Sequence, residues 1–236
     1  MNYSLSPIGI IHSPFKEKFG IPRQPLLVPE AKATLELLIP YNSVDVVTGL
    51  EGFSHVWLTF IFHQTMRDRW QPRVRPPRLG GNRRVGVFAS RSPFRPNPIG
   101  LSVVALDGIS IENGKVELLL SGVDLLDGTP VLDIKPYLPY VDSIPDAKSG
   151  YASEPPQASK SVLFSKKAET QLQQRDDGVE LKRLIVKLLE CDPRPAYKNE
   201  PQPDRIYGMR LYDFDLKWRV MDDEVEVVEL APVEAI

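Results

Sequence analysis

Between Ser90 and Gly100 the chain reads Ser-Arg-Ser-Pro-Phe-Arg-Pro-Asn-Pro-Ile-Gly, with three prolines and two arginines in one short run. Each proline fixes its own φ and removes a backbone donor. Each also pushes the residue before it toward extended geometry, so Ser92, Arg95 and Asn97 are poor helix material. What remains is a stiff loop displaying guanidinium groups, whose flat forks suit carboxylates and phosphates. An apolar run over 99–106 follows at once, so the loop reads as a binding surface mounted on a strand. Pro22-Arg23-Gln24-Pro25 repeats the theme on a smaller scale.

Arginine is also concentrated just upstream. Nine of the sixteen arginines lie between Met66 and Arg95: Arg67, Arg69, Arg73, Arg75, Arg78, Arg83, Arg84, Arg91 and Arg95, with Asp68 the only acid. A merely solvated loop would mix lysine with arginine and intersperse acids. This segment holds arginine alone, spaced by Trp70, Pro72, Pro76 and Pro77, and points to an anionic polymer partner. The net charge of −2 does not oppose this, because the charges are segregated along the chain.

The three histidines do not make a metal site. His55 and His63 share parity on one apolar run but stand about 26 Å apart at roughly 3.3 Å per residue, His12 lies elsewhere, and no acid or cysteine cluster has ligand spacing. His63 ends that run beside Gln64, which places two hydrogen-bonding side chains at a strand end. A ligand contact and a hydrogen-bonded histidine at a core boundary both fit that position. In the acid-rich stretch 121–140, Asp133, Lys135 and Tyr137 share parity and project from one face if the strand continues through Pro136. A structural ion pair and a functional carboxylate are both open for Asp133. Walker, dinucleotide-fingerprint and nucleophile-elbow patterns are absent, which removes the common ATP, NAD and serine-hydrolase readings.

The elements that must position these residues are mostly strands. Over the first 140 residues, short apolar runs at 8–12, 33–39, 53–63, 85–89, 101–106, 109–112, 115–120 and 130–134 are separated by Pro and Gly. Asn113-Gly114 between alternating runs marks a hairpin, and the whole predicts an all-β, barrel-like domain over residues 1–141. Residues 142–160 turn polar and rich in Ser, Pro and Gly, as a linker would. Beyond them Leu181, Leu184, Ile185, Leu188 and Leu189 form one apolar stripe of a helix ended by Asp192-Pro193. Runs at 205–212, 216–220 and 224–230 complete a small α+β domain over 161–236, a helix on an antiparallel sheet. With 236 residues, 42% of them hydrophobic, the chain can hold a real core. No run approaches a membrane span and the start lacks signal-peptide character, so a cytoplasmic protein is expected. Lone Cys191 excludes an internal disulfide.

SRSPFRPNPIGLS at 90–102, GFSHVWLTFIFHQ at 52–64, IPRQP at 21–25, RPPRLGGN at 75–82, VDLLDGTPVLDIKPYLPY at 123–140 and DPRPAY at 192–197 together resemble the TrmO (YaeB, or TsaA-like) family of tRNA methyltransferases. Val123 stands where the family pattern has leucine. The resemblance covers most of the chain. It implies an S-adenosylmethionine-dependent enzyme on a β-barrel rather than a doubly wound sheet, working as a homodimer on tRNA. In the family, methyl goes to N6 of threonylcarbamoyladenosine beside the anticodon.

The resemblance places the cofactor against Pro22, Arg23, Gln24, His63, Gln64, Arg91, Leu101, Asp124 and Leu125. Within that set, an arginine (Arg23 or Arg91) would hold the methionine carboxylate, backbone near Leu101 and Leu125 the adenine, and Asp124 would accept a hydrogen bond. The attacking nitrogen is urea-like with a delocalised lone pair, so a base helps; Asp133 is the candidate, with Tyr137 and Tyr140 as donors or stacking groups. Arg67, Arg69, Arg73, Arg75, Arg83 and Arg84 would hold the tRNA backbone. A non-catalytic RNA-binding module is the rival reading, since a barrel with a basic arm also holds single strands.

Overall fold

Buried and part-exposed residues alternate strictly along His55–Ile61, where Val56, Leu58 and Phe60 point inward. That is what a strand with one face on a core requires. The computed structural model describes residues 3–66, 69–80, 82–156, 160–194, 205–221 and 223–233. Along the chain come β1 (Gly9–His12), β2 (Ala33–Leu37), β3 (His55–Ile61), the short pair β4 (Arg73–Val74) and β5 (Val85–Gly86), then β6 (Ile99–Glu112), β7 (Lys115–Ser121) and β8 (Pro130–Pro136). All but the short pair close into a barrel in the order β1-β2-β7-β6-β3-β8. Closure removes free sheet edges. The barrel is filled by Ile11, Leu35, Val56, Leu58, Val104, Leu118, Leu120 and Val131, each essentially without exposure.

The runs at 101–106 and 109–112 belong to one strand of 14 residues. The register against β7 shifts between Leu106 and Gly108, so the strand bends rather than breaks. The expected strand 53–63 is shorter at both ends, and His63 lies in a turn after β3. Only Val85–Gly86 of the run 85–89 is strand; Val87–Ala89 winds into a 3-10 turn. β8 does run through Pro136, which pairs with Val56.

After a short helix α1 (Pro139–Asp142) come β9 (Ser161–Phe164), α2 (Lys166–Gln173), α3 (Gly178–Glu190), β10 (Ile206–Leu211), β11 (Phe214–Met221) and β12 (Glu224–Pro232). The sheet order is β10-β11-β12-β9, with β9 parallel to β12. The apolar stripe of α3 is buried as its spacing demands. Helix α2 shows only Ala168 and Leu172 as buried residues, too few for a periodic signal; Ser165 caps it by accepting from the Ala168 amide at 3.1 Å. No described helix is long and apolar enough to cross a membrane.

The segment joining β1 to β2 binds the two domains. Phe15 bridges Leu211 at the edge of β10, and the Tyr212 amide donates to the Pro14 carbonyl at 2.8 Å. Phe19 stacks on fully buried Trp218 with ring centroids 5.8 Å apart. Gly20, at φ +89, lies against Met209, where a Cβ would meet the sulfur at 2.2 Å. The chain then leaves the C-terminal sheet and turns toward the barrel mouth.

Candidate cofactor cavity and nucleic-acid cleft

Five separate segments meet at one mouth of the barrel. They are the turn after Gly20, the end of β3, the stiff loop after Ser90, the start of β6 and the loop after β7. They enclose a cavity of about 550 Å³, a volume ordinary for a small-molecule site. Pro22, Arg23, Gln24, His63, Gln64, Arg91, Leu101, Asp124 and Leu125 all line it. So do Trp57, Ser102 and Thr129, which the sequence patterns did not single out as binding groups.

The Arg95 guanidinium turns back into its own loop, donating to the Ser90 carbonyl at 2.8 Å and lying 5.8 Å from the Phe88 ring centroid. Arg95 thereby holds the loop closed and leaves Arg91 to reach across and donate to Gln24. Lys18 likewise donates to the Gln64 carbonyl and ties the first stiff loop to the end of β3. Gly100 is required at the start of β6, since a Cβ there would stand 2.3 Å from the Phe60 ring. Among the described residues, neither Arg23 nor Arg91 forms a carboxylate ion pair.

Asp124 is the cavity's acid. The Ser102 hydroxyl donates to its Oδ1 at 2.7 Å. Burial pushes its carboxyl up to about 6, only partly offset by that hydrogen bond and by the charge of Arg91. His63 moves the other way: burial lowers it, with the Lys18 charge adding to the effect, so at neutral pH it carries one donor and one acceptor nitrogen. The cavity thus offers cations, Arg23 and Arg91 among them, an acid, a neutral imidazole and an apolar wall. That set fits an amphiphile with a carboxylate at one end and a flat apolar body.

The cavity opens into a cleft of about 1260 Å³, and Arg23, Gln24 and Arg91 line both. Arg73, Arg75 and Arg84 line this cleft, as do Arg78 and the aromatic residues Trp70, Phe88, Phe94 and Tyr151. Arg69 and Arg83 are exposed outside it, and Arg67 lies outside the described residues. Trp70 is 53% and Phe88 77% exposed, unusual for side chains that bury so much area when they can. Residues of the expected linker close the far side: the Tyr151 hydroxyl donates to the Ala89 carbonyl at 3.0 Å, and Arg78 donates to the Glu154 carbonyl.

Asp133, Tyr137 and Tyr140 stand beside the cavity rather than in it. Thr59 of β3 pairs with Leu101 on one side and Asp133 on the other, so Asp133 shares the outer barrel face with Leu101 at about 10 Å, two strand spacings. Asp133 is ion-paired with Lys135. Tyr137 packs against His55 and Trp57 with centroids 6.3 and 6.0 Å away, and Tyr140 on α1 is 84% exposed. Trp57, which lines the cavity, links Tyr137 to it. Among the described residues no group of His, Cys, Asp and Glu gathers as a metal site.

Comparison with known proteins fits this geometry. Residues 10–143 match the family profile of the tRNA-methyltransferase O N-terminal domain, and residues 157–233 match that of the TrmO C-terminal domain. A tRNA (adenine(37)-N6)-methyltransferase of Escherichia coli is 50% identical over 232 residues, spanning 98% of this chain and 99% of that protein. A human protein of the same name is 44% identical over 144 residues, 60% of this chain and 32% of its own length. The crystal structure of TrmO from Pseudomonas aeruginosa superposes with a TM-score of 0.81 at 46% identity, covering 99% of this chain and 98% of that one. The chain belongs to the TrmO family of tRNA N6-adenine methyltransferases.

Proposed function

We propose that this chain moves the methyl group of S-adenosylmethionine to N6 of threonylcarbamoyladenosine at position 37 of tRNA, next to the anticodon. The observation that carries the reading is the convergence of nine residues from five distant segments on one cavity that opens into an arginine-lined cleft. A cofactor below and an RNA loop above would meet where Arg23, Gln24 and Arg91 line both spaces.

The cavity suits that cofactor. Arg23 and Arg91 are placed for a carboxylate, backbone and side chains at Leu101 and Leu125 for the adenine, and Asp124 for a donor. S-adenosylmethionine supplies an electrophilic methyl on a sulfonium, so the residues of this chain have chiefly to position the reactants. Methyl transfer to a carbamoyl N6 also releases that nitrogen's proton. Asp133 is the group to which we assign it, with Tyr137 and Tyr140 holding the base or its threonylcarbamoyl substituent. Asp133 shares the outer barrel face with Leu101, and Ile99, Leu101, Val141 and Ile144 are all exposed. A second copy of this chain is the partner we assign to that face.

Incubating the protein with S-adenosylmethionine and two versions of one tRNA, with and without threonylcarbamoyl at position 37, tests the reading. A gain of one methyl mass only in the modified tRNA is expected; equal methylation of both would refute the substrate. The cleft alone, with its exposed Trp70 and Phe88, would also serve a non-catalytic RNA-binding module. Calorimetric titration with S-adenosylmethionine separates the two, since such a module has no need of the cavity.

A further inference from the structure

The C-terminal sequence Asp192-Pro193-Arg194 closes no part of the cavity, yet it touches the cavity's first stiff loop. Helix α3 ends at Glu190, and Asp192 follows in the left-handed region at φ +43, with its amide donating to the Leu189 carbonyl at 3.1 Å. Aspartate and asparagine adopt that conformation more easily than most residues. The turn points Arg194 inward, where it is only 7% exposed. Asp192 grips it with both oxygens, Nε to Oδ1 at 2.8 Å and a terminal nitrogen to Oδ2 at 2.7 Å, and the guanidinium carbon stands 5.6 Å from the Tyr207 ring centroid. A buried, two-pronged pair of this kind fixes the backbone on either side of it. The Arg194 carbonyl, so fixed, accepts a hydrogen bond from the Arg23 guanidinium at 3.0 Å.

The partner given to Arg23 is a neutral carbonyl. A carboxylate in its place would also orient the fork, but would cancel the charge that an anionic ligand needs. Asp192, on the same turn as Arg194, is already committed to it. The same loop is held from the C-terminal domain at two further points, by Phe19 on Trp218 and Gly20 on Met209. We propose that Asp192 and Arg194 are positioning residues for the methyl-transfer reaction: through the Arg194 carbonyl they aim Arg23 into the cofactor cavity with its charge unspent. The C-terminal domain then sets cofactor affinity without touching the cofactor. The proposal rests on the reading of Arg23 as a carboxylate ligand.

Calorimetry with S-adenosylmethionine on the full chain tests it with Asp192→Asn, which tolerates the left-handed turn, and with Arg194→Lys, which keeps the charge but loses the fork. Either variant, once its thermal melt shows it folded, is expected to raise Kd about tenfold, the scale of one charge-assisted hydrogen bond. KM for the cofactor should rise with it while kcat at saturating cofactor holds. In an Arg23→Ala background the same substitutions should change Kd by less than twofold, because the residue they aim is gone. If they weaken binding equally in both backgrounds, or not at all in the native one, the positioning role is refuted. If Arg23→Ala alone leaves Kd unchanged, the ligand reading of Arg23 has failed, and the proposal falls with it for a distinguishable reason.

Discussion

Asp124 shows how a single acid lining a cavity can cost stability. Its carboxyl titrates at about 6 in the folded chain against 3.8 ordinarily, chiefly because burial disfavours the charged form. Between those values the folded protein holds a proton that the unfolded chain has released, so stability falls as pH rises through this window. Above it the penalty is constant, of order 3 kcal/mol. Asp124→Asn should therefore melt at a higher temperature than the native protein at pH 8 and at about the same temperature at pH 4. Affinity for S-adenosylmethionine should change in the opposite sense: native binding weakens as pH falls through about 6, and the variant binds weakly with no such step. Thermal melts and calorimetry across pH 4–8 read both, and a variant no more stable at pH 8 would mean the carboxyl is not strained. The sequence marked Asp124 only through family resemblance. Its Ser102 partner, brought by a different strand, left no local signal. Arg23 and Arg91 were legible for a physical reason: prolines around an arginine specify a fixed display whatever the fold.

Among the elements, the arginine arm is where sequence and structure agree in chemistry and differ in form. By composition it is one basic stretch, whereas the short pair of β4 and β5 folds it back and separates its residues. Arg73, Arg75 and Arg84 then share the cleft with Arg78, while Arg69 and Arg83 point elsewhere. Parity cannot foresee this, because the fold depends on closure by Tyr151 and Glu154 from another segment. Changing Arg73, Arg75 and Arg84 to Ala should weaken tRNA binding and reduce the slope of log affinity against log salt by about 2, near the value for three lost phosphate contacts on a single strand. Filter binding at several salt concentrations measures it; an unchanged slope would leave the arm a solvated loop. Elsewhere, local signals worked where periodicity was long, as in α3, and failed where it was short, as in α2. β6 has the sequence pattern of two strands because a bulge interrupts alternation without interrupting the strand.

At the scale of the molecule, the barrel separates what it buries from what it displays. The inner faces of β3, β6 and β8 fill the core, while their outer faces carry Trp57, Leu101 and Asp133, with Tyr137 just past the end of β8. Ile99 is 39%, Leu101 56%, Val141 58% and Ile144 69% exposed, and α1, which carries Val141, is tied to this face where the Trp57 indole donates to Asp142 at 3.0 Å. Exposed apolar residues beside a cavity suit an interface, and Leu101 and Trp57 line the cavity as well. A second copy bound there would cover the apolar residues and bring its own Asp133, Tyr137 and Tyr140 to the rim of a neighbouring cavity. That would explain why three residues suited to chemistry stand outside the cavity of their own chain. A closed two-fold pair is the simplest assembly such a face can form. Val141→Glu places a charge at the face without touching core or cavity, and should convert a dimer to a monomer by light scattering. If the active site is completed across the pair, methyl transfer should fall steeply in that monomer while S-adenosylmethionine binding survives. Mixing Val141→Glu with Asp133→Ala offers no rescue, because the first lacks the interface and the second lacks the base. A monomeric Val141→Glu protein with full activity would place the whole reaction within one chain.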